Sequence, residues 1–419
     1  MRILVVGGGG REHAICWALK KSPKVQQLFC APGNGGIAEV AECVPFQVNQ
    51  FAEIAEFAMD NAVDLVVIGP DDPLSEGIVD HLEAKKIPVF GPRQNAAILE
   101  SSKVFSKELF KKYNIPTAAY ESFSDYELAL DYLRKQSIPI VIKADGLAAG
   151  KGVVVAQSME EAEKALHDIM VSRIFGDSGN QVVIEEFLSG QEMSILSFVD
   201  GHVVKPMVPA QDHKAVFDND KGPNTGGMGT YTPLPHIPQS VIDEAIETII
   251  KPTAAAMVSE GRPFRGVLFA GLMITPQGPK TIEFNARFGD PETQVVLPRL
   301  QTDLLDIFLA AVNGHLEQMD IQWSDEAAVC VILASEGYPG SYPKGLPIEG
   351  LNEVQDAIVF HAGTALKDGQ IVTNGGRVLG VTALGKDIAE ARQKAYAAAE
   401  GIRFQGKHSR SDIALKALV

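Results

Sequence analysis

Glu283, Asn285 and Arg287 stand at every second position of residues 280–294, KTIEFNARFGDPETQ, among Ile282, Phe284 and Phe288. On a strand, successive side chains point to opposite faces. The expectation is therefore one polar face of Glu283, Asn285 and Arg287, with Ile282, Phe284 and Ala286 on the other. Glu283 and Asn285 would be roughly 7 Å apart along such a strand. That spacing suits two oxygen ligands for ions bridged by phosphates, because Mg²⁺ takes one or two carboxylates and fills its shell with phosphate and water. Arg287 lies one step further, placed to offer a planar fork to a γ-phosphate or a reacting carboxylate. Asn and Glu are poor strand formers, which favours chemistry over a merely solvated face.

Two glycine-rich stretches add candidate phosphate contacts. VVGGGGREHA follows an apolar run and opens a helical pattern, so its backbone N–H groups can hold an anion at a helix N-terminus. It fails as a dinucleotide fingerprint. Counted from Gly7 the third glycine position holds Glu12, and counted from Gly8 it holds His13. The next strand pattern ends in LFCAPG, with no acid for a ribose hydroxyl. A nicotinamide dinucleotide is disfavoured, and Arg11 points to a phosphate monoester, with Gly9, Gly10, Arg11 and Glu12 as candidate contacts.

VIKADGLAAGKGV resembles a P-loop, but the Gly146–Gly150 interval is one residue short and Gly152 replaces the required Ser or Thr. A strand pattern follows where a P-loop would open a helix. A hairpin with lysines in both arms can fold over a triphosphate as a lid, with Gly150, Lys151 and Gly152 near its tip. Lys143 sits in an apolar run, where an unpaired ammonium is costly; a phosphate partner would resolve that cost. In VVIEEFLSGQEMSI, the linker from Glu185 and Glu186 to Leu188 offers backbone groups for adenine. Glu192 offers a carboxylate for ribose hydroxyls. Asp212, His213, Lys214, Asp218 and Asp220 fall in one polar stretch ahead of TGGMG, whose Gly226, Gly227, Met228 and Gly229 supply backbone N–H groups. Mixed charges and exposed amides suit a zwitterionic or phosphorylated substrate.

The positioning elements read as α/β and α+β units. Residues 2–6, 25–30, 63–68 and 88–90 read as strands, alternating with helices at 11–20, 51–61 and 76–86. That order implies a doubly wound, Rossmann-like parallel sheet, ending near Gly91–Pro92. Helices are expected at 101–113, 159–170, 240–259 and 387–400. Strands are expected at 182–188, 193–199, 266–275, 280–286, 329–334 and 377–383. Residues 210–235 read as a long structureless loop, uncommon unless functional or disordered.

The chain has 419 residues, enough for two to four domains. A net charge of −16 and the absence of any basic run of five argue against a nucleic-acid partner. Cys16, Cys30, Cys43 and Cys330 show neither metal spacing nor a Cys-x-x-Cys pair, which fits a reducing cytoplasm. No run reaches the ~18 apolar residues of a membrane span, and the first apolar run is too short for a signal sequence. A cytoplasmic protein without a membrane partner is expected.

RFGDPETQ, GGGGREHA, KADGLAAGKGV, DHKAVFDNDKGPNTGGMG, SEGYPGSYPKG and TNGGRVLGVTALG together resemble the phosphoribosylamine–glycine ligase family of ATP-grasp enzymes. The likeness runs nearly end to end and in the same order, and the length resembles the monofunctional form. It implies an N-terminal domain over 1–102, an ATP-grasp domain over 103–324 with a mobile lid at about 121–183, and a C-terminal domain over 325–419. It implies ATP, Mg²⁺ or Mn²⁺, glycine and 5-phosphoribosylamine, in a monomer or weak homodimer. Lys103 and Lys143 would meet ATP phosphates, Glu185 and Leu188 the adenine, Glu192 the ribose, and Glu283 and Asn285 the metal. Many relatives carry a further metal-binding acid on the preceding strand, where GVLFAGLMIT has none. Arg287 is expected to orient the glycine carboxylate or the phosphoryl group, Asp290 to pair with the glycine ammonium, and Gly9, Gly10 and Arg11 to hold the ribose 5-phosphate. The alternatives are an ATP-grasp ligase with another acid or amine, a nicotinamide-dependent dehydrogenase, and a non-catalytic nucleotide-binding regulator.

Overall fold

A computed structural model describes residues 1–147 and 152–418. The apolar runs of the first hundred residues form a five-stranded parallel sheet. Its order is Glu42–Cys43, Gln27–Pro32, Arg2–Gly7, Leu65–Ile68, Val89–Phe90. Ile3, Leu4, Val5 and Val6 are all fully buried, as expected where helices cover both faces of a parallel sheet. The helix expected over 76–86 runs over Ile78–Ala84, and a further short helix precedes it. Gly77, at φ +92°, separates Asp71–Ser75 from Ile78–Ala84, and Asp71 thereby opens a short helix of its own. The helix Gln94–Ser101 carries Glu100. Ser102 then breaks the run, and its hydroxyl accepts from the Phe105 N–H to start Lys103–Tyr113.

Residues 120–186 form a unit with its own core. An antiparallel sheet of Tyr120–Phe123, Val182–Glu186, Ile140–Ala144 and Val153–Ala156 packs on the helices Tyr126–Leu133 and Met159–Met170. Leu133, Ile142, Leu166 and Ile184 fill the space between. Gly150 and Lys151 lie outside the described residues. A second antiparallel sheet runs Val203–Pro206, Gln191–Asp200, Arg265–Thr275, Gly278–Asn285.

The stretch 210–235 is not the structureless loop its composition suggests. Gln211–Asp212 and Gly229–Thr232 are strands of a sheet completed by Ala327–Ala334, Arg377–Gly385 and Ile358–His361. Between them lies the hairpin Ala215–Phe217/Lys221–Asn224. Its acids do not wait for a substrate. Arg410, whose side chain is fully buried, bonds Asp220 and Asp412, Lys416 also pairs with Asp220, and Ser411 donates to Asp218. The tail thus clamps a hairpin whose strands are too short to carry a periodic signal. No described helix is long and apolar enough to cross a membrane.

The N-terminal helix Gly10–Lys20 meets the C-terminal sheet through two histidines. The His361 N–H donates to His13 Nδ1 at 2.8 Å, and His361 Nδ1 lies 3.1 Å from the Thr364 hydroxyl. Burial, and then His361, push the His13 pKa down to about 3; burial lowers His361 to about 4. Each pKa lies below the ordinary value of about 6.5. The unfolded chain therefore takes up protons that the fold refuses, and this contribution to stability fades as pH falls from 6.5 towards 4. Glu100 and Glu292 titrate in the opposite sense, so the informative quantity is a difference. His13→Asn, which keeps an acceptor for His361, is expected to gain on the parent protein in thermal midpoint as pH is lowered from 7 to 4.5. A constant gap would remove the histidines as its cause.

Candidate active site

A cavity of about 380 Å³ opens where the three antiparallel sheets and the helix Lys103–Tyr113 converge. One wall is cationic. Lys143 Nζ lies 2.9 Å from Glu185 Oε1, and Lys107 Nζ donates to Glu185 Oε2 at 2.9 Å, with all three side chains at most 6% exposed. The interior carboxylate, and not a phosphate alone, is what makes Lys143 tolerable in its apolar strand. Two lysines on one carboxylate leave the wall with a surplus positive charge. Burial opposes ionisation of Glu185, but Lys143 and Lys107 outweigh it and hold its pKa low; burial draws Lys107 down to about 8 despite Glu185. Lys143 also donates to the Ile282 carbonyl at 3.2 Å. An ammonium has three N–H donors, so capacity remains for a ligand. Lys103 Nζ donates to the Gly146 carbonyl at 2.6 Å. Lys103 and Lys107 sit one helical turn apart on one face, the signal by which Lys107 could have been found.

The adjoining wall is the strand Gly278–Asn285, which Lys143 touches at the Ile282 carbonyl. Gly271 pairs with Glu283 and Leu272 with Thr281, so Ile282 is an extra residue in its strand. This bulge brings Ile282 beside Glu283 on the cavity wall while Thr281 is fully buried. Ile282 is thereby parted from the buried Ala286, while Phe284, itself buried, also borders the cavity. Glu283, Asn285 and Arg287 do line one cavity. Arg287 is anchored to two acids that local sequence reading missed: Nη2 lies 3.1 Å from Glu100 Oε1 and 3.6 Å from Asp71 Oδ2. Burial disfavours its charge, yet Glu100 and Asp71 raise its pKa well above the usual value. Its Nε has no partner among the described residues. Glu100 Oε2 accepts the Ala286 N–H at 2.7 Å. Burial lifts Glu100 to about 7 against the pull of Arg287.

A second charged cluster closes the far end. Lys214 lies 2.9 Å from Glu192 and 2.9 Å from Asp212, and both face the cavity together with Ser194 and Glu292. Burial works against the Lys214 charge, but Asp212, Glu192 and Glu292 hold its pKa well above the ordinary lysine value. His213 does not join them. Its ring packs edge-on to Tyr231, Nε2 accepts from the Ala414 N–H at 3.3 Å, and the residue does not line the cavity. Burial and then Arg410 lower it to about 4. Asp212 ends its short strand on the cavity and His213 follows just beyond it, which separates two residues that adjacency had grouped.

The TGGMG amides are also committed. Gly226 N–H donates to the Tyr338 hydroxyl, Gly227 N–H to the Thr225 hydroxyl, and Met228 N–H to the His213 carbonyl. Gly227, at φ +115°, leaves room for Pro291, and a side chain at Gly229 would strike Ile413. Of the four, Gly226 alone lines the cavity. Arg377 pins this turn to the next segment, donating to the Gly226 carbonyl at 2.7 Å and the Asp290 carbonyl at 2.8 Å.

The first glycine loop adjoins the cavity without lining it. Gly9 N–H donates to Glu12 Oε2 at 2.7 Å, so the helix N-terminus already holds a carboxylate. Gly10 packs on Gln294, and a side chain there would meet Nε2 at 2.5 Å. Arg11 bonds Glu12 at 2.5 Å and donates to the Phe288 carbonyl at 3.2 Å. Asp290 has partners too: Gln294 at 2.8 Å and Arg377 at 3.5 Å. Burial opposes its charge, but Arg377 and Arg11 lower its pKa. Beyond the lysine wall, the Glu186 N–H donates to the Ala119 carbonyl, while Phe187 and Leu188 line the cavity. Gly152 lines it as well.

Three family descriptions match the chain in succession: the phosphoribosylglycinamide synthetase N domain over residues 1–100, its ATP-grasp (A) domain over 101–293, and its C domain over 328–416. The chain belongs to the phosphoribosylglycinamide synthetase family. A phosphoribosylamine–glycine ligase from Caldanaerobacter subterraneus is 51% identical over 414 residues, covering 99% of each chain. The chicken trifunctional purine biosynthetic protein adenosine-3 is 50% identical across all of this chain and 42% of that protein. The crystal structure of the Thermotoga maritima phosphoribosylamine–glycine ligase superposes with a TM-score of 0.88 at 36% identity, covering 99% of this chain and 100% of that one. A biotin carboxylase from Campylobacter jejuni shares the fold alone, at a TM-score of 0.74 and 14% identity over 97% and 92% of the two chains. The ATP-grasp domain implies ATP with a divalent metal. The donors fit that group. Among the described residues no set of three or more His, Cys, Asp or Glu is placed to hold a metal alone. Glu283 and Asn285 suit an ion whose shell is finished by phosphate oxygens and water.

Proposed function

We propose that the chain joins glycine to 5-phosphoribosylamine through a glycyl phosphate intermediate, giving glycinamide ribonucleotide, ADP and phosphate, a step of purine biosynthesis. The observation that carries this reading is one cavity lined both by Lys103, Lys107 and Lys143 and by Glu283, Asn285 and Arg287. A carboxylate is a poor acyl donor, so its oxygen first attacks the γ-phosphorus and ADP departs. The amine then attacks the acyl carbon and phosphate leaves. Phosphoryl transfer is catalysed chiefly by positioning and charge neutralisation. Lys143 and Lys103 hold the phosphates, and Glu283 and Asn285 hold Mg²⁺ or Mn²⁺. When bound, the metal screens charge on the phosphate oxygens. The 185–188 linker takes the adenine, Glu192 the ribose, and Gly152 borders the space for the phosphates. Arg287 orients the glycine carboxylate or the transferred phosphoryl group. Asp290 remains a candidate for the glycine ammonium, in competition with its pairing to Arg377.

The working division is 1–102, 103–324 and 325–419, supported by the succession of family matches. The separate core of residues 120–186 supports a lid that moves as a body. A monomer or weak homodimer is the state the reading carries. Four free cysteines support a reducing cytoplasm.

A coupled assay for ADP release, omitting glycine or phosphoribosylamine in turn, tests the reaction. Full ADP release without glycine would sink it in favour of ATP hydrolysis that does not depend on an acid substrate. Arg11→Ala tests the ribose-phosphate contact. Losing one charged hydrogen bond is expected to raise KM for phosphoribosylamine about 10- to 100-fold. KM for ATP should stay put; an equal rise there would show that Arg11 serves the fold of the loop instead.

A further inference from the structure

The second half of the proposed ligase reaction leaves a proton to be placed, and the identity of its acceptor rests on that reading. As the amine nitrogen bonds to the acyl carbon, the carbon–oxygen bond to phosphate breaks and its electron pair leaves with phosphate. The nitrogen must then shed one proton. Most carboxyls around the cavity are already committed. Glu185 lies between two lysines, and Glu100 is bonded at one oxygen by the Ala286 N–H and paired with Arg287 at the other. Both Asp212 oxygens accept from Lys214, at 2.9 and 3.0 Å, and Asp290 faces Gln294 and Arg377. Glu283 belongs to the metal face.

Glu292 differs. Its side chain lines the cavity and the residue is only 4% exposed. Among the described residues, its one side-chain hydrogen bond from a neighbour is a long one, 3.4 Å from the Ser194 hydroxyl. Gly289 makes its position possible, since a side chain there would lie 2.5 Å from Glu292 Oε2. The charges that act on it are Asp212 and Lys214 on one side and Arg287 and Arg377 on the other.

We propose that Glu292 is the catalytic base that takes the proton from the attacking amine. The carboxylate gains the proton, the nitrogen keeps the pair that forms the amide, and no further reactant is needed. Burial and Asp212 outweigh Lys214 and raise its pKa to about 7, where a general base works best at neutral pH.

The two halves of the reaction separate the roles. ATP labelled with ¹⁸O in the β,γ-bridge scrambles that label when glycyl phosphate forms and reverts, with glycine present and phosphoribosylamine absent. In Glu292→Gln this scrambling is expected to survive within about threefold, while amide formation falls by about 100-fold or more. Glu292→Asp should recover part of the amide step, and the acid limb near pH 7 should vanish from the kcat profile of the glutamine variant. Retained ligation with its acid limb, or loss of scrambling in both variants, overturns the assignment. Failure of the parent enzyme to form the amide from ATP, glycine and phosphoribosylamine overturns the ligase reading itself and this inference with it.

Discussion

Arg287→Ala is expected to lower kcat by about 10²- to 10³-fold, the scale on which one preorganised donor to developing charge acts. KM for ATP should change little, since the contact proposed is to the reacting group and not to the nucleotide. The same change unbalances the wall behind the site. Glu100 and Asp71 would lose their shared cation, and breaking a buried pair costs about 3–5 kcal/mol when a charge is left behind. Glu100 moderates that cost at low pH. Its pKa is already lifted to about 7 with Arg287 in place, and it must rise further without it. A carboxyl raised on folding keeps a proton the unfolded chain has released, so stability falls as pH rises from about 4.5 through the folded value. The thermal-midpoint deficit of the variant should therefore be small at pH 5 and large at pH 8. Adding Glu100→Gln should recover stability at pH 8 without restoring turnover. Turnover recovered by that second change would show that Arg287 acts only by neutralising Glu100.

The parts of the molecule legible in the sequence are those encoded by near neighbours. The parallel sheet shows in its apolar runs, and the helix starts show in Ser102, Ser158 and Asp387, whose side chains accept from the backbone N–H three positions on. The period of two at Glu283, Asn285 and Arg287 placed those three on one cavity wall. The bulge at Ile282 has no comparable signature, because it depends on register against Gly271 and Leu272. The partners of the charged groups were hidden for the same reason. Lys107 and Glu185 are 78 residues apart, Arg377 and the Asp290 carbonyl 87, and Arg410 and Asp220 190. A cluster of loop acids reads the same in sequence whether it awaits a substrate or a distant arginine. The tail claimed Asp218 and Asp220, while Asp212 and Lys214 stayed on the cavity.

Lys143→Met makes the sharpest separation between nucleotide body and nucleotide charge. The ammonium lies 2.9 Å from Glu185 and donates to the Ile282 carbonyl, leaving a donor for the phosphates. Losing a charge-assisted hydrogen bond worth about 1.5–3 kcal/mol weakens ATP binding about 10- to 100-fold. Adenosine, which offers no phosphate, should bind the variant nearly as it binds the parent, since the linker residues Glu186, Phe187 and Leu188 are untouched. Turnover should fall by a further factor of about 10²–10³, because charge neutralisation is the main catalytic lever in phosphoryl transfer. Glu185 supplies the control. With Lys143 gone it retains Lys107 on Oε2 alone, so part of any loss could come from an orphaned carboxylate and not from a missing phosphate contact. Lys143→Met combined with Glu185→Gln removes that carboxylate charge. If the double variant regains ATP affinity, Lys143 exists to neutralise Glu185. If ATP binding stays weak while adenosine binding and thermal stability are normal, the surplus charge of the lysine wall is what receives the triphosphate.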